Sequence, residues 1–290
     1  MADPRVDGEQ PALTRCYRHR DRETGVRCTH CDRPICPDCL RSASVGYWCP
    51  ECVREAEARV RSAKAPYGGA LVEGALVTMS LITMNVVAYV LTALNSAGGF
   101  ASNYASSMFG QLALWTPAIA AHQQYWRLLT SMFLHFGPFH LLVNMIALAV
   151  VGNQLEVIFG RARYLAVYLV AGLGGSVAVY LLQAPGAVTA GASGALFGLF
   201  GAVLVVVRRL RANPRPILFT IVLNLVVTFL IPNISKWAHI GGLVTGVALA
   251  AVIVYAPAGK NRSALQVSGV GVIVAVLATL VVLRTGQLVG

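Results

Sequence analysis

Seven runs of roughly twenty apolar residues, near 74–95, 139–158, 163–183, 191–208, 215–231, 237–256 and 265–283, constrain this chain more than any other feature. About 20 apolar residues in a helix cross the hydrocarbon core of a bilayer. The repetition therefore predicts an all-α polytopic membrane protein. Charge is distributed to match. Residues 67–290 hold 11 basic residues and only 2 acidic ones, Glu73 and Glu156, whereas residues 1–66 hold 12 basic and 10 acidic. A soluble chain is about a quarter charged, and this one is 12% charged. A disordered chain, a coiled coil and a soluble two-domain enzyme all fail on this split. What fits is a small polar domain joined to a membrane body.

The net charge of +11 could suggest nucleic-acid binding, but its placement argues for topology. Arg161, Arg163, Arg208, Arg209, Arg211, Arg215, Lys260 and Arg262 fall in loops on one side, and Arg127, Lys236 and Arg284 on the other. The richer side is cytoplasmic by the positive-inside rule. The expectation is a multi-pass plasma-membrane protein with its N-terminus cytoplasmic and its C-terminus extracytoplasmic. The fourth run is short and opens on Gly-Ala-Ser-Gly, so it is expected to begin inside the bilayer. The connection at 96–138 is long and rich in aromatics such as Phe100, Phe109, Trp115, Trp126 and Phe136. It is expected to lie partly in the outer interface rather than to float as a connector.

Ionisable groups inside membrane spans are costly and usually functional. His140 opens the second run, and Asn144 follows at i+4 on the same helix face. His239 opens the sixth, within Ala-His-Ile-Gly-Gly-Leu-Val-Thr-Gly. Gly242 and Gly246 form a close-packing stripe there. Ser193 heads the fourth run, above Gly194, Gly198 and Gly201. Two glycine-faced helices can approach closely, and pairing the fourth with the sixth brings Ser193 near His239. That suits a serine nucleophile activated by an imidazole base. His140, Asn144 and the Ser193 amide could then donate to an oxyanion. Asn85, Asn224 and Thr228, also within runs, are read as interhelical hydrogen-bonding groups.

In this order and spacing the sequence resembles a rhomboid intramembrane serine protease. The matching elements are Trp126-Arg127, His140-x-x-x-Asn144, Gly191-Ala-Ser193-Gly194 and Ala238-His239-x-x-Gly242-x-x-x-Gly246. The resemblance covers roughly 74–256 and implies a six-helix core, with the last run as an additional C-terminal helix. It implies hydrolysis of peptide bonds in or near transmembrane segments of membrane-protein substrates, within membrane lipid. Ser193 would be the nucleophile and His239 the base, with His140, Asn144 and the Ser193 amide as oxyanion hole and no cofactor for the chemistry. The family dyad lacks a third, acidic member, and neither Glu73 nor Glu156 is placed to reach His239. Phe197 stands where the family stacks an aromatic on the base, without the hydroxyl many relatives carry. Arg127 is read as anchoring the long loop and Glu156 as capping an inner helix end.

The polar segment carries all seven cysteines. No apolar leader-like run precedes them, so a reducing cytosolic setting is expected, where Cys-x-x-Cys pairs read as metal ligands. The series Cys16-x2-His19, Cys28-x2-Cys31, Cys36-x2-Cys39, Cys49-x2-Cys52 supplies eight ligands, enough for two structural zinc ions. It resembles a B-box-type cross-braced finger, which implies that the first and third pairs share one ion and the second and fourth the other. Sequential pairing remains open. His30 is the spare. Regulation, oligomerisation or a cytosolic protein partner are the open roles, and the near-balanced charge disfavours nucleic acid. A short charged helix over 53–66 is expected to lead to the membrane. The division expected is 1–66 zinc domain and linker, 67–260 six-helix core, and 261–290 additional helix and C-terminus. A non-catalytic relative that binds membrane clients would typically lack Ser193 or His239. A transporter would show inverted repeats or intramembrane acids.

Overall fold

The computed structural model describes residues 13–62, 65–232 and 234–290. Residues 1–12 and 63–64, which belong to the first expected domain and its linker, lie outside the described residues. The chain forms two compact units, Met1–Ala63 and Lys64–Gly290.

The first unit has two small antiparallel ribbons, β1 (Thr14–Arg15) with β2 (Glu23–Thr24) and β3 (Arg41–Ser42) with β4 (Tyr47–Trp48). A helix, α1 (Pro50–Ser62), follows. That helix starts earlier than the charge pattern predicted, because the last Cys-x-x-Cys pair runs into its first turn. Its core is Ile35 packed among the cysteines, far too little apolar burial for about 50 residues to fold without a staple.

The second unit is a helical bundle. Its members in chain order are α2 (Leu76–Leu94), α3 (Ser107–Leu112), α4 (Thr116–His122), α5 (Arg127–Thr130), α6 (Gly137–Phe159), α7 (Arg161–Leu182), α8 (Ser193–Arg209), α9 (Arg215–Leu230), α10 (Lys236–Tyr255) and α11 (Arg262–Val289). Each of the seven apolar runs is a helix. Five of these helices, α2, α6, α7, α10 and α11, are long and apolar enough to cross a membrane, which makes this an all-α polytopic membrane protein. The other two are shorter, with 17 residues in α8 and 16 in α9, or about 24–26 Å at 1.5 Å per residue. The last helix runs 28 residues, well beyond the 265–283 expected.

Glycines set the packing at the centre. From Gly194 to Ala202 every residue of α8 is buried. The stripe of Gly194, Gly198 and Gly201 meets that of Gly242 and Gly246, as the spacing predicts. A third glycine surface, marked by no stripe in the sequence, comes from α7. A methyl group on Gly175 would lie 2.6 Å from the Ala238 carbonyl oxygen, and one on Gly241 would lie 2.7 Å from that of Gly174. Three helix backbones therefore touch at one level. Outside this centre, α9 buries only Ile221 and Thr228, and most of its side chains face the surroundings.

Glu156 works at a helix end. Its carboxylate accepts from the Val77 and Thr78 amides at 2.9 and 2.8 Å and from the Thr78 hydroxyl at 2.9 Å. It thus satisfies the first turn of α2, where negative charge is favoured. The expected interhelical role is not observed for Asn224, whereas Asn85 on α2 also stands beside the Tyr168 hydroxyl of α7. Their amide nitrogens donate one turn back, to Leu81 O at 2.7 Å and Thr220 O at 2.9 Å. A carbonyl at i−4 is always within reach of a helical Asn, and it competes successfully for the donor.

Candidate active site and metal sites

The long connection between α2 and α6 is an ordered platform. Arg127, 5% exposed, donates to Gln124 Oε1, Gly110 O and Ala113 O, each at 2.7 Å. A short ribbon then pairs β5 (Leu114–Trp115) with β6 (Val188–Thr189). Through it the loop grips the strand that leads into Gly191-Ala192-Ser193. Gly191 donates its amide to Ser131 O at 2.9 Å. Its φ of +139° lies where a side chain is strained. A Cβ there would also stand 2.8 Å from the His140 ring.

Ser193 is the first residue of α8. Its Oγ lies 2.8 Å from His239 Nε2, a hydrogen bond between helices 46 residues apart in sequence. Phe197, one turn below the serine, stacks on the imidazole with ring centroids 4.2 Å apart and planes 16° apart. The remaining ring nitrogen of His239, Nδ1, lies 2.6 Å from Thr228 Oγ1, and that hydroxyl also donates to Asn224 O at 2.7 Å. The interhelical hydrogen bond expected of Thr228 is thus observed, between α9 and α10. Only its height on α9 relative to the sixth run could have signalled more, and helix rotation cannot be read from an all-apolar run.

His140 lies beside Gly191. Its Nδ1 accepts the Phe136 amide at 3.3 Å, so a neutral ring carries its proton on Nε2, the nitrogen 3.0 Å from the Gly191 Cβ position. The same Cβ position is 3.6 Å from Ser193 Oγ. His140 Nε2–H is therefore a donor aimed at the serine's surroundings. Asn144, expected to share that task, donates its amide nitrogen to His140 O at 2.7 Å. It touches neither Ser193 nor His239 by hydrogen bond. The Ser193 amide, at a helix N-terminus, has no intrahelical acceptor. His135, which belongs to none of the sequence motifs, packs edge-on to His140 with centroids 5.0 Å apart. His122 and Trp126 are exposed. Behind the serine, Ser131, Ser176, Thr189, Gly191 and Gly194 help line a cavity of about 20 Å³, room for one water.

In the first unit, Cys16, His19, Cys36 and Cys39 form one cluster and Cys28, Cys31, Cys49 and Cys52 another, with ligand atoms within 4.8 Å in each. First and third pairs join, as do second and fourth. Sulfur–sulfur distances are 3.9 Å for Cys16–Cys39, 3.9 Å for Cys28–Cys52 and 3.8 Å for Cys31–Cys49. Disulfide sulfurs would stand about 2.05 Å apart, whereas a tetrahedron with metal–sulfur bonds of about 2.3 Å has edges near 3.8 Å. Both clusters could therefore hold a metal ion. Burial pushes the Cys16 thiol up, but backbone amides of Cys36, His19 and Arg18 outweigh it and bring it down to about 6. Cys28 falls to about 6 in the same way, under the amides of Cys49, His30 and Cys31. His30 lies edge-on to Trp48, centroids 5.1 Å apart, away from either ligand set.

Residues 122–256 match the family model described as the rhomboid domain. Among known proteins, the chain is 40% identical over 147 residues to "Rhomboid protease GluP" of Bacillus subtilis, covering 49% of this chain and 29% of that protein. It is 41% identical over 152 residues to "RHOMBOID-like protein 2" of Arabidopsis thaliana, covering 49% and 46%. It is 43% identical over 140 residues to "RHOMBOID-like protein 5" of the same plant, covering 46% and 45%. The chain spans less than half the length of each of these relatives.

Proposed function

We propose that this chain, whose residues 122–256 match the rhomboid domain, is an intramembrane serine endopeptidase that cuts peptide bonds in or near transmembrane segments of membrane proteins. Ser193 is the nucleophile and His239 the general base. The observation that carries this reading is the 2.8 Å contact between Ser193 Oγ and His239 Nε2. As Oγ attacks the scissile carbonyl carbon, Nε2 takes the hydroxyl proton. The developing oxyanion is met by the Ser193 amide at the head of α8 and by His140 Nε2–H. Asn144 keeps one amide hydrogen for the same oxyanion. The imidazolium then returns its proton to the departing amine, and a water splits the acyl-enzyme by the reverse proton path. The small cavity beside Gly191 and Gly194, the neighbours of Ser193, is large enough for one water.

The surrounding assignments follow. The seven helices thread the plasma membrane with the arginine-rich loops and the N-terminal unit in the cytosol. The six-helix core spans 67–260, and α11 is an addition to it. The two closed four-ligand clusters hold structural zinc, which leaves no open position for catalysis, and the unit around them is a docking or regulatory module for a cytosolic protein. The test is cleavage of a transmembrane model substrate in liposomes by the wild type beside Ser193→Ala. Wild type should cut and Ser193→Ala should not, and equal cleavage by both refutes the dyad.

A further inference from the structure

We propose that Thr228 positions the base, holding His239 in the one neutral tautomer that can deprotonate Ser193. The inference rests on Ser193 and His239 being nucleophile and base. A threonine hydroxyl has one hydrogen. Here the hydrogen lies along the 2.7 Å contact to Asn224 O, because a carbonyl oxygen can only accept. Toward His239 Nδ1, 2.6 Å away, the hydroxyl then has only lone pairs to offer, so Nδ1 carries the ring proton. A neutral imidazole has a single ring proton. Nε2 is therefore bare, and it is Nε2 that faces Ser193 Oγ at 2.8 Å. The result is a directed chain: Ser193 hydroxyl to His239, His239 to Thr228, Thr228 to the backbone of α9.

In soluble serine proteases a carboxylate has this orienting task. Residues 67–290 contain only two acids, of which Glu156 is committed to the first turn of α2. An ionised carboxylate at a site as buried as Thr228, which is 4% exposed, would be costly in an apolar body. A hydroxyl fixes orientation and tautomer without introducing a charge. Thr228 is also one of only two buried residues of α9, so its burial serves this contact rather than a packed helix interface.

The test compares Thr228→Val, which keeps shape and loses the hydroxyl, with Thr228→Ser, which keeps the hydroxyl. Full-length protein is reconstituted with a fluorogenic transmembrane substrate. Thr228→Val should lower kcat about 10- to 100-fold, the range of acid–base catalysis, with KM and thermal midpoint near wild type. Thr228→Ser should restore kcat to within about threefold. Wild-type kcat in Thr228→Val, or an equal loss in both variants, overturns the inference. A loss in Thr228→Val that only tracks the unfolded fraction overturns it too. Cleavage by Ser193→Ala would instead overturn the underlying reading.

A second observation stands apart from the active site. At the far end of α8 from Ser193, Arg163 and Arg262 converge on Tyr67 and Gly68, with Arg209 nearby over the Tyr255 ring at 5.7 Å. The Gly68 Cβ position is 3.4 Å from Arg163 Nη2 and 3.6 Å from Arg262 Cδ. Arg262 lies over the Tyr67 ring at 5.7 Å. Burial raises the Tyr67 pKa, while Arg209 and Arg262 pull it down. Arg163 spends its hydrogen bonds on the neutral Gln266 and Ser263, and Arg262 Nε is buried with no acceptor. Among the described residues no carboxylate forms an ion pair with any of the three arginines. Arg163 and Arg262 also sit in the first turns of α7 and α11, the positive ends of those helices. We infer that this is a phosphate-recognition site occupied by the phosphodiester headgroup of an anionic lipid.

The test counts lipids retained by full-length protein taken from phosphatidylglycerol–phosphatidylcholine nanodiscs into detergent, by native mass spectrometry. Wild type should retain phosphatidylglycerol preferentially. Arg163→Gln with Arg262→Gln should lose at least fivefold of that preference. Arg211→Gln with Arg215→Gln, cations at the same end of α8, should keep it. Equal loss in both pairs refutes a defined site. Stabilisation by millimolar inorganic phosphate without phosphatidylglycerol retention refutes the lipid as its occupant.

Discussion

A single methyl group at Gly242 should part Ser193 from His239 without touching either. The substitution Gly242→Ala places a Cβ 2.7 Å from the carbonyl carbon of Gly194 and 3.1 Å from its Cα. Carbon atoms settle at about 3.5–4.0 Å, and both obstacles are backbone, so no side chain can swing away. The two helices must part by about 1 Å at that level. Gly194 is the neighbour of Ser193, and Gly242 lies one turn beyond His239. The same displacement therefore stretches the 2.8 Å Ser193–His239 contact past hydrogen-bond reach. A misplacement of about 1 Å costs roughly 100-fold in rate, or about 2.7 kcal/mol of transition-state stabilisation. Overpacking itself should cost about 1–3 kcal/mol of stability. The assay pairs initial cleavage rates of a fluorogenic transmembrane peptide with a thermal melt in the same micelles. Gly271→Ala on α11 is the control, since a methyl there meets nothing within 4 Å and should leave activity unchanged. If folded Gly242→Ala cleaves within threefold of wild type, glycine contact does not set the distance between Ser193 and His239.

Other expectations are as direct. Two zinc ions per chain should be released by a strong chelator or by acidification that protonates the cysteine thiolates, measured by a colorimetric zinc assay. Cys28→Ser should halve the stoichiometry. Glu156→Ala strips the acceptor from two amides and a hydroxyl in α2 and should lower stability by about 1–3 kcal/mol, read as a fall in thermal midpoint. Arg127→Lys keeps the charge but cannot make three divergent hydrogen bonds, so the 96–138 loop should become sensitive to limited proteolysis.

Much of this architecture was legible because membrane helices write their length and their exceptions plainly. Ser193 and His239 stand out as polar groups above glycine stripes, and the stripes of α8 and α10 specify which helices must meet. The cysteine pairs are equally explicit, since spacing alone limits how eight ligands can surround two ions. What escaped was information carried by rotation rather than by spacing. Gly174 and Gly175 sit in a helix that is apolar all round, where no face is marked as interior. Thr228 and Asn224 look alike as isolated polar residues four apart. One completes a hydrogen-bond chain to His239 and the other supplies only a backbone carbonyl to it. The strand partner of the loop over 96–138 escaped for a different reason. The loop's order depends on Leu114 and Trp115 pairing with Val188 and Thr189, partners more than 70 residues away in strands too short to carry a period.

That pairing also explains why Ser193 can sit at the head of a short helix. Ser193 has no preceding turn of α8 to hold it, so its position is fixed from outside: by β6 gripped to β5, by the Gly191 amide on Ser131, and by Gly194 against α7 and α10. Each restraint comes from a different stretch of chain, and the stretches before Ser193 are themselves anchored by Arg127. A serine held in this way can project from a helix N-terminus, where its amide is free to meet an oxyanion, while its hydroxyl stays on the imidazole. A longer α8 would have satisfied that amide internally. The shortness of this helix and the order of the loop above it are therefore two sides of one requirement, a rigid serine with an unspent backbone donor.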